Sequence, residues 1–202
     1  LPVTTADQLA NKLICNRLSI LTNLPYLSEE SDLVNFEYRK NWNKFWMVDP
    51  LDGTKEFINK TDEFTVNIAL IQDNWPVLGV IHAPALNLTY AACRGYGAYK
   101  INAEKKWLSL PCKYFNNSKV IRVVISRSHN NQATQYYIEK LKQQNKVVKL
   151  RKSGSSLKFC LVAEGQADCY PRLGPTMEWD IAASVIICQE AKMNIRAIPD
   201  DR

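Results

Sequence analysis

The chain has 202 residues, of which 46% are hydrophobic and 23% charged, with a net charge of +6. This composition excludes extensive disorder and is typical of a globular protein with one substantial core or two small ones. No apolar run approaches the roughly 20 residues of a membrane-spanning helix, and the N-terminus lacks a signal-peptide pattern. We therefore expect a cytoplasmic protein without a transmembrane segment.

The cysteines, the histidines and the net charge limit the kinds of metal site and ligand that we expect. The six cysteines follow no C-x-x-C spacing, and we expect them to be reduced and to pack as small hydrophobic side chains. With only two histidines a zinc site is not expected, so any metal should be a hard cation bound by carboxylates. The modest positive charge indicates a solvated basic face or an anionic small-molecule substrate, rather than nucleic acid.

The first half of the chain is predicted to form one helix followed by antiparallel strands. Thr5-Ala6-Asp7-Gln8 has the form of a capping box, and apolar residues then recur at helical spacing, which predicts an amphipathic helix over residues 5–22. Its apolar residues are Leu9, Leu13, Ile14, Leu18 and Leu21. Strands are predicted at 45–48, 64–71, 77–83, 88–93 and 98–101.

The second half alternates strands with helices. Strands are predicted at 120–126, 146–150 and 168–170, and helices at 132–144, 155–164 and 179–191. The two patterns meet in a polar connection at residues 102–118. We predict two subdomains, 1–110 and 111–202, that share layered sheets and helices.

Two aspartates lie three positions apart after an apolar strand. Pro50 keeps Asp49 extended, and Gly53 permits a tight reversal, so Asp49 and Asp52 should project from one rigid turn with the Leu51 carbonyl between them. These oxygens suit a divalent cation, which would offset the repulsion of the neighbouring carboxylates. The alternative is a β-turn in which the aspartates accept hydrogen bonds from local N–H groups.

Further acidic residues stand at other strand and helix ends. Glu29 and Glu30 follow an apolar stretch, Glu178 and Asp180 open the last helix, and Asp7 lies in the first turn of the first helix. A carboxylate at a helix start is also favoured by the helix dipole, so none of these residues is specific alone. The D-x-x-D-G-T spacing exceeds the D-x-D-G-T of phosphatases with a covalent aspartyl intermediate by one residue, which favours metal-activated water over a phosphoenzyme.

Several segments together resemble the inositol monophosphatase superfamily. WMVDPLDGT at 46–54 and WDIAA at 179–183 are similar to its two signatures. TKEF at 54–57, FTVNIAL at 64–70 and GSSLKF at 154–159 resemble the 3′(2′),5′-bisphosphate nucleotidase branch. The similarity runs nearly from end to end.

This resemblance implies an α+β fold, a layered α-β-α-β-α sandwich of the inositol monophosphatase and sugar phosphatase type. It implies a Mg²⁺-dependent phosphomonoesterase that removes the 3′-phosphate of 3′-phosphoadenosine 5′-phosphate (adenosine 3′,5′-bisphosphate) and yields AMP and phosphate. Two or three Mg²⁺ ions would be bound by Glu29, Asp49, Asp52, Asp180 and the Leu51 carbonyl. The catalytic residues would be Glu29 together with Asp7 and Thr54, which would orient the attacking water.

The resemblance also implies the substrate contacts and the biological setting. His129, Ser155, Lys158 and Arg172 match positions that contact the nucleotide in this branch. The resemblance implies inhibition by lithium and residence in the cytoplasm, with peripheral association with membranes as an option. The protein would be a monomer or a homodimer. The substrate-binding set is completed by Asp52, Gly53, Thr54 and Asp180.

Two alternative functions stay open at this point. An inositol monophosphatase or a sugar-bisphosphate phosphatase would share the metal ligands and differ in the segment from residue 155 to residue 172. A non-catalytic module would use the acidic residues for a structural ion and its positive charge for nucleic acid. The two classes differ in whether replacing Asp49 abolishes phosphate release.

Overall fold

The computed structural model describes residues 3–32, 34–112, 119–127, 131–144 and 147–197. The helices in these ranges are α1 (Thr5–Leu21), α2 (Phe36–Arg39), α3 (Thr54–Ile58), α4 (Gln132–Gln143), α5 (Leu157–Ala163) and α6 (Glu178–Glu190). The strands are β1 (Tyr26–Ser28), β2 (Lys44–Asp52), β3 (Thr65–Gln72), β4 (Trp75–Ala83), β5 (Leu88–Cys93), β6 (Gly97–Ile101), β7 (Trp107–Ser109), β8 (Val120–Ser126) and β9 (Val147–Ser153). None of these helices is long and apolar enough to cross a membrane.

Strands β1 to β7 form one sheet in chain order. The pairing of β1 with β2 is parallel, and every later pair is antiparallel. The predicted run of antiparallel sheet is therefore confirmed. All six cysteines are free, as predicted.

Helices cover both faces of this sheet. Successive side chains of a strand point to opposite faces, and Met47 belongs to the core that includes α6, whereas the indole of the preceding Trp46 donates to the Thr22 hydroxyl at the end of α1 (2.9 Å). Helix α1 packs against β2, and α6 packs against β3, β4 and β5. The sheet thus lies between α1 and α6.

A second, two-stranded parallel sheet lies beyond α5, which itself packs against α6. Val123 and Ile125 of β8 pack with Ile138 of α4, whereas Val124 between them packs with Leu161 of α5. The order of layers is α1, the large sheet, α5 with α6, the small sheet, and α4. This order confirms the predicted layered α-β-α-β-α sandwich.

The division into subdomains at residue 110 stays a prediction. Helix α6 is the last helix of the described chain, yet it packs on the sheet that the first half builds. Residues of both halves, such as Ile81 and Ile186, share one core cluster.

The first helix differs from its prediction in its cap and in its buried face. Thr4, rather than Thr5, is the N-cap, and its side chain accepts hydrogen bonds from backbone N–H groups of the first turn. Leu9 and Leu13 are exposed, at 63% and 61%. The predicted apolar stripe is therefore buried only in part: Leu18 packs inward and Ile14 is half-buried, whereas Leu21 is exposed like Leu9 and Leu13. The buried residues of α1 are Asp7, Cys15 and Leu18.

Other elements were missed or misplaced. The strands β1 and β7 and the helices α2 and α3 were not predicted, because three to five residues are too few to show periodicity. The predicted strand at 168–170 is a single bridge between Val123 and Cys169. The predicted helix at 155–164 begins at Leu157, because Ser155 has a positive φ of 43°. Residue 146 lies outside the described residues.

Replacing Gly79 by Ala is expected to destabilise the fold by about 1–3 kcal/mol, the usual cost of overpacking a core. A Cβ atom at Gly79 would lie 2.5 Å from Ile186 Cγ2 and 2.7 Å from the Ala183 carbonyl oxygen, so α6 would have to move away from β4. Urea unfolding measures the change. Gly95→Ala is the control, because a Cβ there meets no atom within 4 Å and only its positive φ of 79° costs energy. Equal midpoints for Gly79→Ala and the native protein would contradict this packing.

Candidate active site

One cleft of about 720 Å³ brings together residues that are far apart in the sequence. It has the size of a small-molecule site. Most of the predicted site residues line it, namely Glu29, Asp49, Leu51, Asp52, Gly53, Thr54, Ser155, Lys158, Arg172 and Asp180. Asp7 is not in this lining. His129 lies outside the described residues.

The two aspartates project from a bulge within β2, and not from a turn that follows a strand. Asp49 pairs with Asn67 and Asp52 pairs with Thr65, so the strand continues past Pro50 with a register shift between the aspartates. The extended conformation before proline and the extra residue of the bulge allow both aspartates to reach the cleft. Gly53, with φ of 93°, then starts α3 and places Thr54 at its first position.

Asp49 is buried, with 1% of its surface exposed, and its carboxylate is only half satisfied. Oδ1 accepts a hydrogen bond from the Leu51 N–H at 3.0 Å. No hydrogen-bond donor in the described part of the chain reaches Oδ2. A buried acceptor without a partner is costly, so this oxygen is suited to a ligand.

The pKa is raised above its ordinary value at four carboxyl groups of the cleft, those of Glu29, Asp49, Asp52 and Asp180. Burial is the largest cause for each, and repulsion by neighbouring carboxylates adds to it. The pKa of Glu29 is raised to about 7 and that of Asp52 to about 6, while that of Asp49 is raised well above its ordinary value. Lys158 partly offsets this effect at Asp52.

A divalent cation fits this donor set. The carboxylates are hard oxygen ligands, Asp49 Oδ2 has no donor among the described residues, and a cation would offset both the burial of negative charge and the repulsion between the carboxylates. Within the described ranges, however, no three acidic, cysteine or histidine side chains already surround a point that a metal could occupy. The Glu29 and Asp49 carboxyl groups are instead close enough to share a hydrogen bond when one of them is protonated.

The segment before α5 faces the aspartates. The backbone N–H of Ser156 donates to Asp52 Oδ2 at 2.6 Å, which orients that carboxylate. The Ser156 hydroxyl donates to Asn67 Oδ1 (2.7 Å), which ties the segment to β3. Gly154 is required nearby, because a Cβ there would lie 2.7 Å from the Glu63 carbonyl oxygen. The geometry of Asp52 therefore depends on a turn about 100 residues away in the sequence.

Lys158 is a buried cation in the same cleft, with 6% of its surface exposed. Its ammonium group donates to the Ser155 carbonyl and lies 5.6 Å from the centre of the Tyr170 ring. Burial lowers the pKa of Lys158, whereas the carboxylate of Asp52 raises it. The cleft thus holds positive charge directly beside its acidic residues.

Asp180 and Arg172 come from the last part of the chain. Asp180 Oδ2 accepts the Met177 N–H at 3.1 Å and so caps α6, which is the helix-start role that its position allowed. Its carboxylate nevertheless lines the cleft. Arg172 is exposed and donates to the Pro175 carbonyl at 2.9 Å.

Asp7 has a structural role that the sequence did not separate from the predicted catalytic one. It is buried, with 2% exposed, and its Oδ2 accepts hydrogen bonds from the Thr4 N–H (2.8 Å) and from the Thr4 hydroxyl. This is the capping box of α1. Orientation of a water by Asp7 stays a prediction.

Comparing Asp7→Asn with Thr4→Ala separates the two roles of Asp7. Loss of the N-cap in Thr4→Ala is expected to cost about 1 kcal/mol of stability, whereas Asp7→Asn keeps an amide oxygen that can accept the Thr4 N–H and should cost no more. If Asp7 also orients the water, Asp7→Asn should lower kcat by about 10²-fold or more, as for loss of a general base, while Thr4→Ala should keep most of its kcat. Urea unfolding and steady-state kinetics measure both quantities. Equal kcat values for the two variants would show that Asp7 only caps α1 and does not orient the water.

Three cleft residues were not singled out from the sequence as site residues. Ser156 orients Asp52, Glu56 is buried in the wall, and Tyr170 packs its ring edge-to-face on Phe159, with centroids 4.9 Å apart. Burial raises the pKa of Tyr170 above its ordinary value. The segments that carry Ser156 and Glu56 were recognised as motifs, so their position beside Ser155 and Thr54 was the available signal.

The family model of the inositol monophosphatase family matches residues 2–194. The chain belongs to the inositol monophosphatase family. Membership agrees with the resemblance based on the two signature segments and with the five layers of the fold.

Individual relatives are more specific. The chain is 45% identical over 195 residues to the 3′(2′),5′-bisphosphate nucleotidase CysQ of Buchnera aphidicola, covering 95% of this chain and 70% of that protein. It is 44% identical to the CysQ of Escherichia coli K12, covering 96% and 75%. The crystal structure of CysQ from Bacteroides thetaiotaomicron has a TM-score of 0.80 and 42% identity, over 90% of this chain and 72% of that one. SuhB of Mycobacterium tuberculosis is more distant, at 26% identity and a TM-score of 0.74, over 92% and 72%.

Proposed function

We propose that this inositol monophosphatase family member is a Mg²⁺-dependent 3′(2′),5′-bisphosphate nucleotidase. It removes the 3′-phosphate of adenosine 3′,5′-bisphosphate and yields AMP and phosphate. The observation that carries the proposal is the buried Oδ2 of Asp49, which no donor in the described ranges reaches, among three other carboxylates in a cleft that also holds a buried lysine. The identity to curated CysQ proteins supports the choice of substrate.

The proposed ligands of two or three Mg²⁺ ions are Glu29, Asp49, Asp52, Asp180 and the Leu51 carbonyl. Bound Mg²⁺ would supply Lewis-acid stabilisation of phosphate oxygens and lower the pKa of a water molecule. Asp49 contributes its free Oδ2, and Asp52 is held in place by the Ser156 N–H. Glu29 approaches from the loop after β1 and Asp180 from the start of α6.

The proposed substrate contacts lie beside the acidic residues. Lys158 and Arg172 attract the two phosphates of the nucleotide, and Ser155 borders the same space. His129 belongs to the proposed set through the resemblance alone. Gly53 and Thr54 begin α3 at the edge of the cleft, where backbone N–H groups and a hydroxyl can donate to phosphate oxygens.

The proposed reaction breaks the bond between phosphorus and the 3′-oxygen of the ribose. The oxygen of a water molecule forms the new bond to phosphorus, and a proton ends on the 3′-hydroxyl of AMP. Thr54, fixed at the first position of α3, holds the attacking water, and Asp7 is proposed to assist it. The apolar strands around Asp49 exclude bulk water, which strengthens each charge interaction.

Residence in the cytoplasm as a monomer or homodimer, without a nucleic-acid partner, completes the proposal. The proposal also includes peripheral association of the protein with membranes. These statements follow from the family resemblance and from the proposed small-molecule substrate.

The test is phosphate release from a panel of substrates with and without Mg²⁺. Adenosine 3′,5′-bisphosphate should have the highest kcat/KM, and inositol monophosphate and fructose bisphosphate should be poor substrates. Chelation of Mg²⁺ should abolish release. A preference for inositol monophosphate would overturn the choice of substrate, and Mg²⁺-independent release would overturn the proposed chemistry. Failure of every phosphate ester, together with retained metal binding, would favour the non-catalytic module.

A further inference from the structure

A polar network joins the buried face of α1 to the loop that carries Glu29. Asn11 is half-buried and uses both atoms of its amide. Its Nδ2 donates to the Glu30 carbonyl (3.1 Å) and to the Ser31 hydroxyl (3.2 Å). Its Oδ1 accepts from the Ser28 hydroxyl (2.7 Å) and from the Cys15 thiol (3.2 Å).

These contacts fall on both sides of Glu29. Ser28 precedes it, Glu30 and Ser31 follow it, and Ser28 itself is buried at 1% exposure. The Glu29 N–H donates to the Val48 carbonyl at 3.1 Å, which places the residue beside the strand that carries Asp49. One side chain of α1 therefore holds the residues on both sides of Glu29, through the Ser28 hydroxyl before it and through the Glu30 carbonyl and the Ser31 hydroxyl after it.

An anchor is needed here because the charges oppose the arrangement. The carboxylates of Asp180, Glu30 and Asp52 repel that of Glu29, and Glu30 is also near Asp7. If the hydrogen bond from the Glu29 N–H to the Val48 carbonyl were its only contact with the rest of the fold, the loop after β1 would move outward and relieve this repulsion. The amide of Asn11 holds it with hydrogen bonds and adds no charge to the cleft.

We propose that Asn11 is a positioning residue that sets the Mg²⁺ affinity of the site by holding Glu29 between β1 and α1. The inference deepens the proposed function and rests on it. Partners that orient metal ligands typically change metal affinity by about 10–100-fold when they are removed. Asn11 acts through the loop backbone, and its effect should therefore fall on metal binding rather than on the nucleotide.

The test is calorimetric titration of Mg²⁺ into native protein, Asn11→Ala and Ser19→Ala without substrate. Ser19→Ala is the matched control, because the Ser19 hydroxyl of the same helix donates only to the Cys15 carbonyl (2.9 Å) among the contacts of the described residues. Asn11→Ala should weaken Mg²⁺ binding about tenfold or more. At saturating Mg²⁺ its KM for adenosine 3′,5′-bisphosphate should stay unchanged. Ser19→Ala should match the native protein in both measurements.

A second variant guards against failure of Asn11→Ala to fold. Ser28→Ala removes the hydrogen bond between Asn11 and β1 and leaves α1 intact, so it should weaken Mg²⁺ binding in the same direction by a smaller factor. Native Mg²⁺ affinity in the folded variants, with or without a lower unfolding midpoint, would overturn the inference and assign Asn11 to fold stability alone. Absence of Mg²⁺ binding in the native protein would overturn the proposed function instead.

Discussion

Asp49→Asn is expected to abolish phosphate release and, at the same time, to stabilise the protein in the absence of Mg²⁺. The variant loses a ligand of the proposed metal site and with it several kcal/mol of transition-state stabilisation. This loss corresponds to a fall in kcat of about 10³-fold. It also replaces a buried group whose pKa is raised by burial and by its neighbours with a neutral amide of the same shape. The unfolding midpoint in urea with a chelator present should therefore rise at pH 8.

Asp73→Asn is the matched control for this experiment. Asp73 is exposed in the turn between β3 and β4, where its positive φ of 52° is a conformation that asparagine also tolerates. Both kcat and the midpoint should be native in this variant. Full activity of Asp49→Asn would contradict the account, and so would an unchanged midpoint in the presence of chelator.

The stability of the metal-free protein is expected to fall as the pH rises from about 5 to 8. The pKa of Glu29 is raised to about 7 and that of Asp52 to about 6 in the folded state. Such groups bind protons more tightly in the folded state than in the unfolded one. Their contribution to stability is complete below the unfolded pKa values near 4 and is lost as the pH rises through 6 to 7. Each unit of pKa difference corresponds to at most about 1.4 kcal/mol, and screening by solvent reduces this value for the partly exposed Glu29.

Mg²⁺ should reverse this trend, because it binds the deprotonated carboxylates and replaces the protons. Thermal unfolding at pH 5.5 and pH 8, each with chelator and with saturating Mg²⁺, gives the four values required. The increase in Tm caused by Mg²⁺ should be larger at pH 8 than at pH 5.5. An increase that is equal at both pH values would show that these carboxyl groups do not titrate together with metal binding.

From the sequence, the residues of the site could be predicted more completely than the helices and strands that carry them. The two signature segments identified Asp49, Asp52 and Asp180, and the structure places all three on one cleft although they are up to 131 positions apart. The sequence did not distinguish carboxylates with a structural role from carboxylates with a chemical role. Asp180 both caps α6 and faces the cleft, whereas Asp7 caps α1 and lies outside the lining.

The errors in the fold come from local patterns that tertiary contacts override. Pro50 argued for the end of a strand, but β2 continues because the unpaired residues of the bulge fall at Pro50 and Leu51. The leucines of α1 formed an apolar stripe, but only Leu18 of them is buried, and the polar contacts of Asn11 join the helix to the segment around Glu29. Ser156 could not be recognised as a partner of Asp52, because their contact joins β2 to the turn before α5, 104 positions away in the sequence.

The most direct test is a crystal structure of the protein grown with Mn²⁺ in place of Mg²⁺, with anomalous scattering measured to locate the ions. The account predicts two or three anomalous peaks, each bonded to oxygens of at least two of Glu29, Asp49, Asp52 and Asp180, with one peak at Asp49 Oδ2. A map at saturating Mn²⁺ with no peak among these four carboxylates would contradict it.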